Sequence, residues 1–161
     1  MCSRMSDVLE IREVDPADPL AQHCLREYFA ELDRRFDTGF DPAASLPADP
    51  DEMRLPSGVF LIAVRGTEPI GCGALKLHGD EPTEVKRMWV ASTARGLGLG
   101  RRLLEALEQR ARELGSRTLR LETNRTLTEA IAMYRSAGYQ EVDAFNDERY
   151  ADHWFEKRLD S

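Results

Sequence analysis

The chain has 161 residues, 42% apolar and 32% charged, with a formal net charge of −7. This length suits one folded domain with a sizeable core, and the composition excludes a disordered chain. The acidic balance argues against a duplex nucleic acid partner, no apolar run approaches the ~20 residues of a membrane span, and three scattered cysteines suggest neither a disulfide framework nor a zinc site.

Met1 to Asp7 lacks an apolar signal core, so a cytoplasmic location and no membrane partner are expected. Val8 to Val14 sets Leu9 and Ile11 between charges and predicts a short strand. Asp18-Pro19 offers an N-cap followed by proline at the first helical position. Ala21, Cys24, Leu25, Tyr28, Leu32 and Phe36 then recur at helical spacing, predicting an amphipathic helix over 21–36. Asp37 to Gly58 is long, broken by prolines and aperiodic, as functional loops are. Val59 to Arg65 is a continuous apolar run of strand length, and Gly66-Thr67-Glu68-Pro69 turns it into Ile70 to Leu77, giving a hairpin.

Glu84 to Val90 predicts the fourth strand. A glycine-rich turn follows, then a helix reaching Leu114 with Leu103, Leu104, Leu107 and Ala111 on its apolar face and Gly115 as its stop. Thr118 to Glu122 alternates as a fifth strand. Thr126-Leu127-Thr128-Glu129 has the spacing of a capping box for a helix that carries Ala130, Met133, Tyr134 and Ala137 and ends at Gly138. Gln140 to Val142 and His153 to Leu159 predict closing strands. With no repeat and no linker, the order β-α-β-β-β-α-β-α-β-β predicts a single α/β domain over 1–161, its core about 8–160, on one mixed sheet.

The turn is the most informative stretch. Gly96, Gly98 and Gly100 alternate between Arg95 and the Arg101-Arg102 pair, at the junction of a strand and a helix. Glycine permits positive φ and keeps side chains away, so successive N–H groups can face one ligand, and the helix N-terminus adds unpaired donors. Such a cradle suits a diphosphate. Lys86, Arg87, Arg95, Arg101 and Arg102 cluster here with no acidic residue between them, so a negative protein can still hold a polyanion. A dinucleotide fingerprint needs glycine at the sixth position from Gly96, where Arg101 stands. A P-loop needs Gly-Lys-Ser/Thr, whereas here Gly100-Arg101-Arg102 has no hydroxyl for magnesium.

What fits is Arg-x-x-Gly-x-Gly, as Arg95, Gly98 and Gly100. This resembles the coenzyme A loop of the GNAT superfamily of N-acetyltransferases. Asn124 after the fifth strand, Ala130-x-x-x-Tyr134-x-x-x-Gly138-Tyr139 and the tail His153 to Leu159 resemble the same family in the same order. The resemblance implies a mixed sheet of about six to seven strands flanked by helices, with splayed fourth and fifth strands. It implies acetyl-CoA as co-substrate and no metal. The pantetheine is expected along Met88, Trp89 and Val90, the pyrophosphate against Arg95, Gly96, Leu97, Gly98, Leu99, Gly100 and Arg101, and a pantetheine hydrogen bond at Asn124.

By the same resemblance Tyr134 is the expected general acid; a phenol of pKa near 10 can return a proton to a thiolate whose acid is near 8.5. Glu84 is the expected general base, with Glu122 and Asp33 as open alternatives. The acceptor is expected between the first helix with its loop and the C-terminal strands, lined by Tyr28, Phe36, Phe40, Asn146 and Tyr150. A small-molecule primary amine is the first expectation for it. A protein N-terminus, and a non-catalytic acyl-CoA-binding module, are the alternatives. The chain is expected to be a monomer or a homodimer.

Overall fold

The computed structural model describes residues 9–45 and 49–159; Cys2, Met1 to Asp7 and the Val8 end of the first strand lie outside them. Its elements are β1 (Leu9–Glu13), α1 (Pro19–Arg35), β2 (Gly58–Arg65), β3 (Glu68–His78), β4 (Glu81–Val90), α2 (Leu99–Glu113), β5 (Thr118–Thr123), α3 (Thr128–Ser136), β6 (Gln140–Val142) and β7 (His153–Arg158). The strands form one seven-stranded sheet in the order β1-β2-β3-β4-β5-β7-β6. Every neighbouring pair is antiparallel except β4 and β5.

Helices cover both faces of the sheet, which is why β2 reads as an unbroken apolar run. On one face α1 buries Ala21, Cys24 and Leu25 against Phe60, Ile62, Cys72, Ala74 and Trp89. The Asp18 carboxylate caps this helix by accepting from Leu20 N at 2.8 Å. On the other face Leu104, Leu107 and Ala111 of α2 pack with Tyr134 of α3 on Val59, Leu61, Leu75, Val85, Leu119 and Leu121. Gly73 sets how near α2 lies: a Cβ there would stand 2.8 Å from Leu107 Cδ1 and 2.6 Å from Met88 Sδ. Among the described residues no helix is long and apolar enough to cross a membrane.

The apolar spacing predicts α3 correctly, but the capping box does not form. Leu127 stands at the N-cap with no side-chain cap. Thr126 is drawn away because its N and Oγ1 both donate to Asn124 Oδ1, at 2.9 and 2.8 Å, and the Glu129 carboxylate accepts from Arg35 Nη2 at 2.9 Å instead. Tertiary partners outcompete the local motif.

Two irregularities in β4 shape the site. Its parallel pairing with β5 is confined to Thr83 with Leu119 and Glu84 with Arg120, so the strands part beyond Glu84. Against β3, Lys86 pairs with Ala74 but Trp89 with Cys72, so β4 spends three residues where β3 spends two. Arg87 absorbs the surplus at φ 58°, a left-handed conformation that strains a residue with a Cβ. The bulge reverses which face the later side chains occupy. Val85 and Trp89, four apart, would share a face on a regular strand, yet Val85 joins the core under α2 and Trp89 the core under α1.

Candidate active site

Past Glu84, Met88 to Val90 have lost β5 as a neighbour and pair only with β3 among the described residues. That leaves one edge of their main chain open to an extended ligand, in the manner of an added strand. The chain then makes a single 3-10 turn over Ser92–Ala94 and enters α2 through Gly98, at φ 71°. Gly98 is the N-cap and carries no side chain, and no acidic residue lies in the first turn, so the N-terminal N–H groups of α2 are free of side-chain caps. A cleft of about 360 Å³ runs from this turn along Met88, Trp89 and Val90 to Met133 and Tyr134 of α3. Arg95, Gly96, Gly98, Leu99, Gly100 and Arg101 form its turn end. Leu97 is 52% exposed and lies outside the lining.

The two cations at that end differ. Arg95 Nη2 donates to Glu31 Oε1 of α1 at 2.6 Å, whereas Arg101 Nη1 reaches only Ser136 Oγ at 3.3 Å. The donor set of free N–H groups, two arginines and no side-chain carboxylate from the turn suits a diphosphate, and the open strand edge suits an amide-bearing arm such as pantetheine.

A second cavity, about 90 Å³, opens where β4 and β5 diverge. Tyr28, Leu32, Met88, Leu127, Ala130 and Tyr134 line both spaces, so they meet at Tyr134. Tyr134 is 5% exposed and its ring packs on Tyr139 and Phe155, with centroids 5.8 and 6.2 Å away. Burial, followed by Tyr28 and Glu122, pushes its pKa well above the ordinary tyrosine value. Its burial therefore favours the protonated phenol.

Charges from β4 and β5 converge on the second cavity. Lys86 Nζ donates to Glu122 Oε1 at 2.9 Å and pairs with Glu84 Oε2 at 3.1 Å, and Glu84 Oε1 meets His78 Nε2 at 2.6 Å. Burial pushes the Lys86 pKa down, but Glu122 and Glu84 overcome it and the net shift is up. Burial likewise pushes Glu84 up, and Lys86 and His78 bring it below its ordinary value. Both stay charged. Glu122 Oε2 is buried with no hydrogen-bond partner, although its side chain is only 7% exposed. A buried half-satisfied carboxylate is costly unless something else meets it.

The expected site residues fall into three groups. Met88, Trp89, Val90 and the turn from Arg95 to Arg101, Leu97 excepted, line the cleft, and Tyr28 and Tyr134 line both spaces. Phe36, Phe40, Tyr150 and Asn124 line the second cavity. Asn124 is in that cavity rather than the cleft, its Nδ2 donating to Tyr150 O at 2.7 Å and its Oδ1 occupied by Thr126. Glu84 and Asn146 line neither. Asn146 Oδ1 accepts from Trp154 Nε1 at 2.9 Å, and Asp33 accepts from Phe40 N at 2.9 Å, holding the chain after α1. The sequence reading did not place Lys86 and Arg87 in the second cavity, which both line. The alternation that buries Leu119 and Leu121 sets Glu122 on the opposite face and was a usable signal; the bulge that redirects Arg87 left none.

A cleft made by an open strand edge and an uncapped helix start, joined to a side cavity through one tyrosine, suits a two-substrate transferase. The acetyltransferase (GNAT) family model matches residues 22–139. The IAA acetyltransferase of Azospirillum brasilense is 36% identical over 125 residues, covering 77% of this chain and 82% of that protein. A GNAT-family acetyltransferase of Staphylococcus aureus superposes with a TM-score of 0.79 at 18% identity, covering 95% of this chain and 100% of that one. Another GNAT-family acetyltransferase, from Elizabethkingia anophelis with acetyl-CoA bound, gives 0.67 at 19% identity, covering 95% and 99%. The splayed strands, the glycine turn and the matched span together identify the chain as a member of the GNAT family of acetyl-CoA-dependent N-acetyltransferases.

Proposed function

We propose that the protein moves the acetyl group of acetyl-CoA to the primary amine of a metabolite-sized acceptor, by direct attack of the amine on the thioester. The observation that carries this is Tyr134, whose side chain stands between the cleft and the second cavity. The acyl donor fits the first space, with its diphosphate on the turn from Arg95 to Arg101 and its arm along Met88 to Val90. The acceptor fits the second, whose 90 Å³ supports a metabolite over a peptide N-terminus.

The chemistry needs a neutral amine, a held thioester and a proton for the departing sulfur. The acceptor's ammonium gives one proton to Glu122, a carboxylate that lines the cavity. Glu84 acts through Lys86, fixing the ammonium that orients Glu122. The nitrogen then forms its bond to the carbonyl carbon, the carbon–sulfur bond breaks, and the sulfur takes the Tyr134 proton. The acylated nitrogen releases its surplus proton, which restores the tyrosine, and Glu122 returns its own to solvent.

Thiol release from acetyl-CoA, measured over a panel of small amines, tests this. Release that depends on an amine and yields its N-acetyl derivative is expected; tight acetyl-CoA binding with no turnover on any amine overturns it.

A further inference from the structure

Of the four charged residues that line the second cavity, two are fully matched. Lys86 is held between two carboxylates, and Glu148 accepts from Ser45 Oγ and from Tyr150 N. Two groups are not. Glu122 keeps one buried oxygen without a partner, and Arg87 has a buried Nε without one and forms no ion pair among the described residues. By contrast, Arg35, Arg54, Arg95 and Arg110 each hold a carboxylate. The Arg87 guanidinium lies instead against two aromatic rings, 5.2 Å from the centroid of Phe29 and 6.0 Å from that of Tyr28. Stacking fixes the plane of a guanidinium and leaves its edge free to grip an oxyanion with two parallel hydrogen bonds. The β4 bulge holds the residue at a strained φ of 58° on the α1 side of the sheet.

We infer that the acceptor is an α-amino acid with an apolar side chain, its carboxylate taken by Arg87 and its amino group by Glu122. The inference rests on the acetyl-transfer reading above and names the substrate of that site. A cation with no ion pair among the described residues and a carboxylate with one unpartnered oxygen suit a zwitterion, and both residues line the same cavity as Tyr28. The apolar part of the wall includes Leu32, Phe36, Phe40 and Tyr150, with the Tyr150 ring 4.8 Å from Phe40 and 5.5 Å from Phe36, and Ser45, Thr123, Asn124 and Glu148 also line the cavity. The clustered rings offer an apolar side chain a surface. Size agrees: at roughly 10–15 Å³ for each water-sized site, 90 Å³ holds about six to nine, the scale of leucine or methionine rather than an aminoglycoside. A diamine would set its second cation against Arg87, an arrangement that costs affinity.

The test compares L-leucine, L-methionine and L-phenylalanine with the same molecules lacking the carboxylate charge: their methyl esters and the decarboxylated amines isoamylamine, 3-methylthiopropylamine and phenethylamine. Thiol release is followed in wild type, Arg87→Gln and Arg87→Lys. The expected result is a kcat/KM roughly 10- to 100-fold higher for the amino acids than for their amines, carried mainly by KM. That ratio falls toward one in Arg87→Gln and is partly kept in Arg87→Lys. Amines or esters that react as well as the amino acids in wild type overturn the assignment and leave acetyl transfer standing. Thiol release from none of these compounds, nor from any other amine, overturns acetyl transfer itself. The wild-type comparison needs no variant to fold, so poor folding of Arg87→Gln leaves the result decisive.

Discussion

The cleft beneath the glycine turn and the cavity between β4 and β5 share Tyr134, yet they are built from different materials. The cleft's polar donors are main chain, an unpaired strand edge at Met88 to Val90 and a helix start whose N-cap is Gly98, within one short stretch of sequence, and side chains of α1 and α3 close its walls. The cavity is made of side chains that come together from α1, the following loop, β4, β5 and the segment before β7. Backbone donors accept any ligand with the right anion and amide spacing, which suits a co-substrate common to many enzymes. Side chains from separate elements can change one by one, which suits an acceptor particular to this enzyme. Changes to the cavity should therefore move acceptor parameters and leave acetyl-CoA affinity alone, and changes to the turn should do the opposite.

The largest effect is expected where the two spaces meet. Tyr134→Phe keeps the ring packing on Tyr139 and Phe155 and removes only the proton donor, so kcat should fall by about 10²-fold or more. Acetyl-CoA affinity by calorimetry should stay within about twofold. An unchanged kcat would make Tyr134 a packing residue and leave the two spaces without a chemical link.

Glu84→Gln probes the cavity through its support. It removes one of the two carboxylates on buried Lys86, and at pH 7 should cost about 1–3 kcal/mol of stability and raise the acceptor KM, without altering acetyl-CoA binding. The pH dependence fixes the sign. The folded pKa of Glu84 lies below its ordinary 4.5, so its contribution is fully present above that pH and fades as pH falls through the folded value. Wild type and variant should thus converge in denaturant melts at low pH. A gap that persists there would assign the loss to packing.

On the cleft side, Gly98→Glu puts a Cβ at φ 71° and a negative charge at the start of α2, and should weaken acetyl-CoA binding roughly tenfold or more with the acceptor KM unchanged. Glu31→Gln should act in the other direction. Glu31 holds Arg95 at 2.6 Å across the mouth of the cleft, so removing its charge frees the arginine for the diphosphate. Acetyl-CoA should bind about two- to fivefold tighter, in keeping with a partly exposed ion pair, and the gain should shrink in high salt. Weaker binding would show that Glu31 positions Arg95 rather than competing for it.

How much of each space was legible in the sequence follows from the same contrast. Arg95, Gly98 and Gly100 sit at a fixed spacing because one turn of backbone forms that end of the cleft, and a local pattern survives translation into a linear text. Tyr28, Phe36 and Tyr150 line the second cavity as their elements suggested, but Asn146, expected with them, does not. Its Oδ1 is occupied by Trp154 Nε1, a partner set by how the loop before β7 folds back. The Thr126 to Glu129 spacing misled for a similar reason: Asn124 and Arg35 offer stronger partners than the helix end does.

By itself the sequence determined the order of strands and helices, the covered sheet and the anion cradle, because periodicity, capping and glycine spacing act over a few residues. Tertiary structure alone decided where β4 leaves β5, and that Arg87 rather than a regular alternation partner faces α1. It also decided that Glu122, and not Glu84, lines the cavity. Those outcomes depend on a strand gap and a one-residue bulge, which arise from register between distant segments and have no local signature.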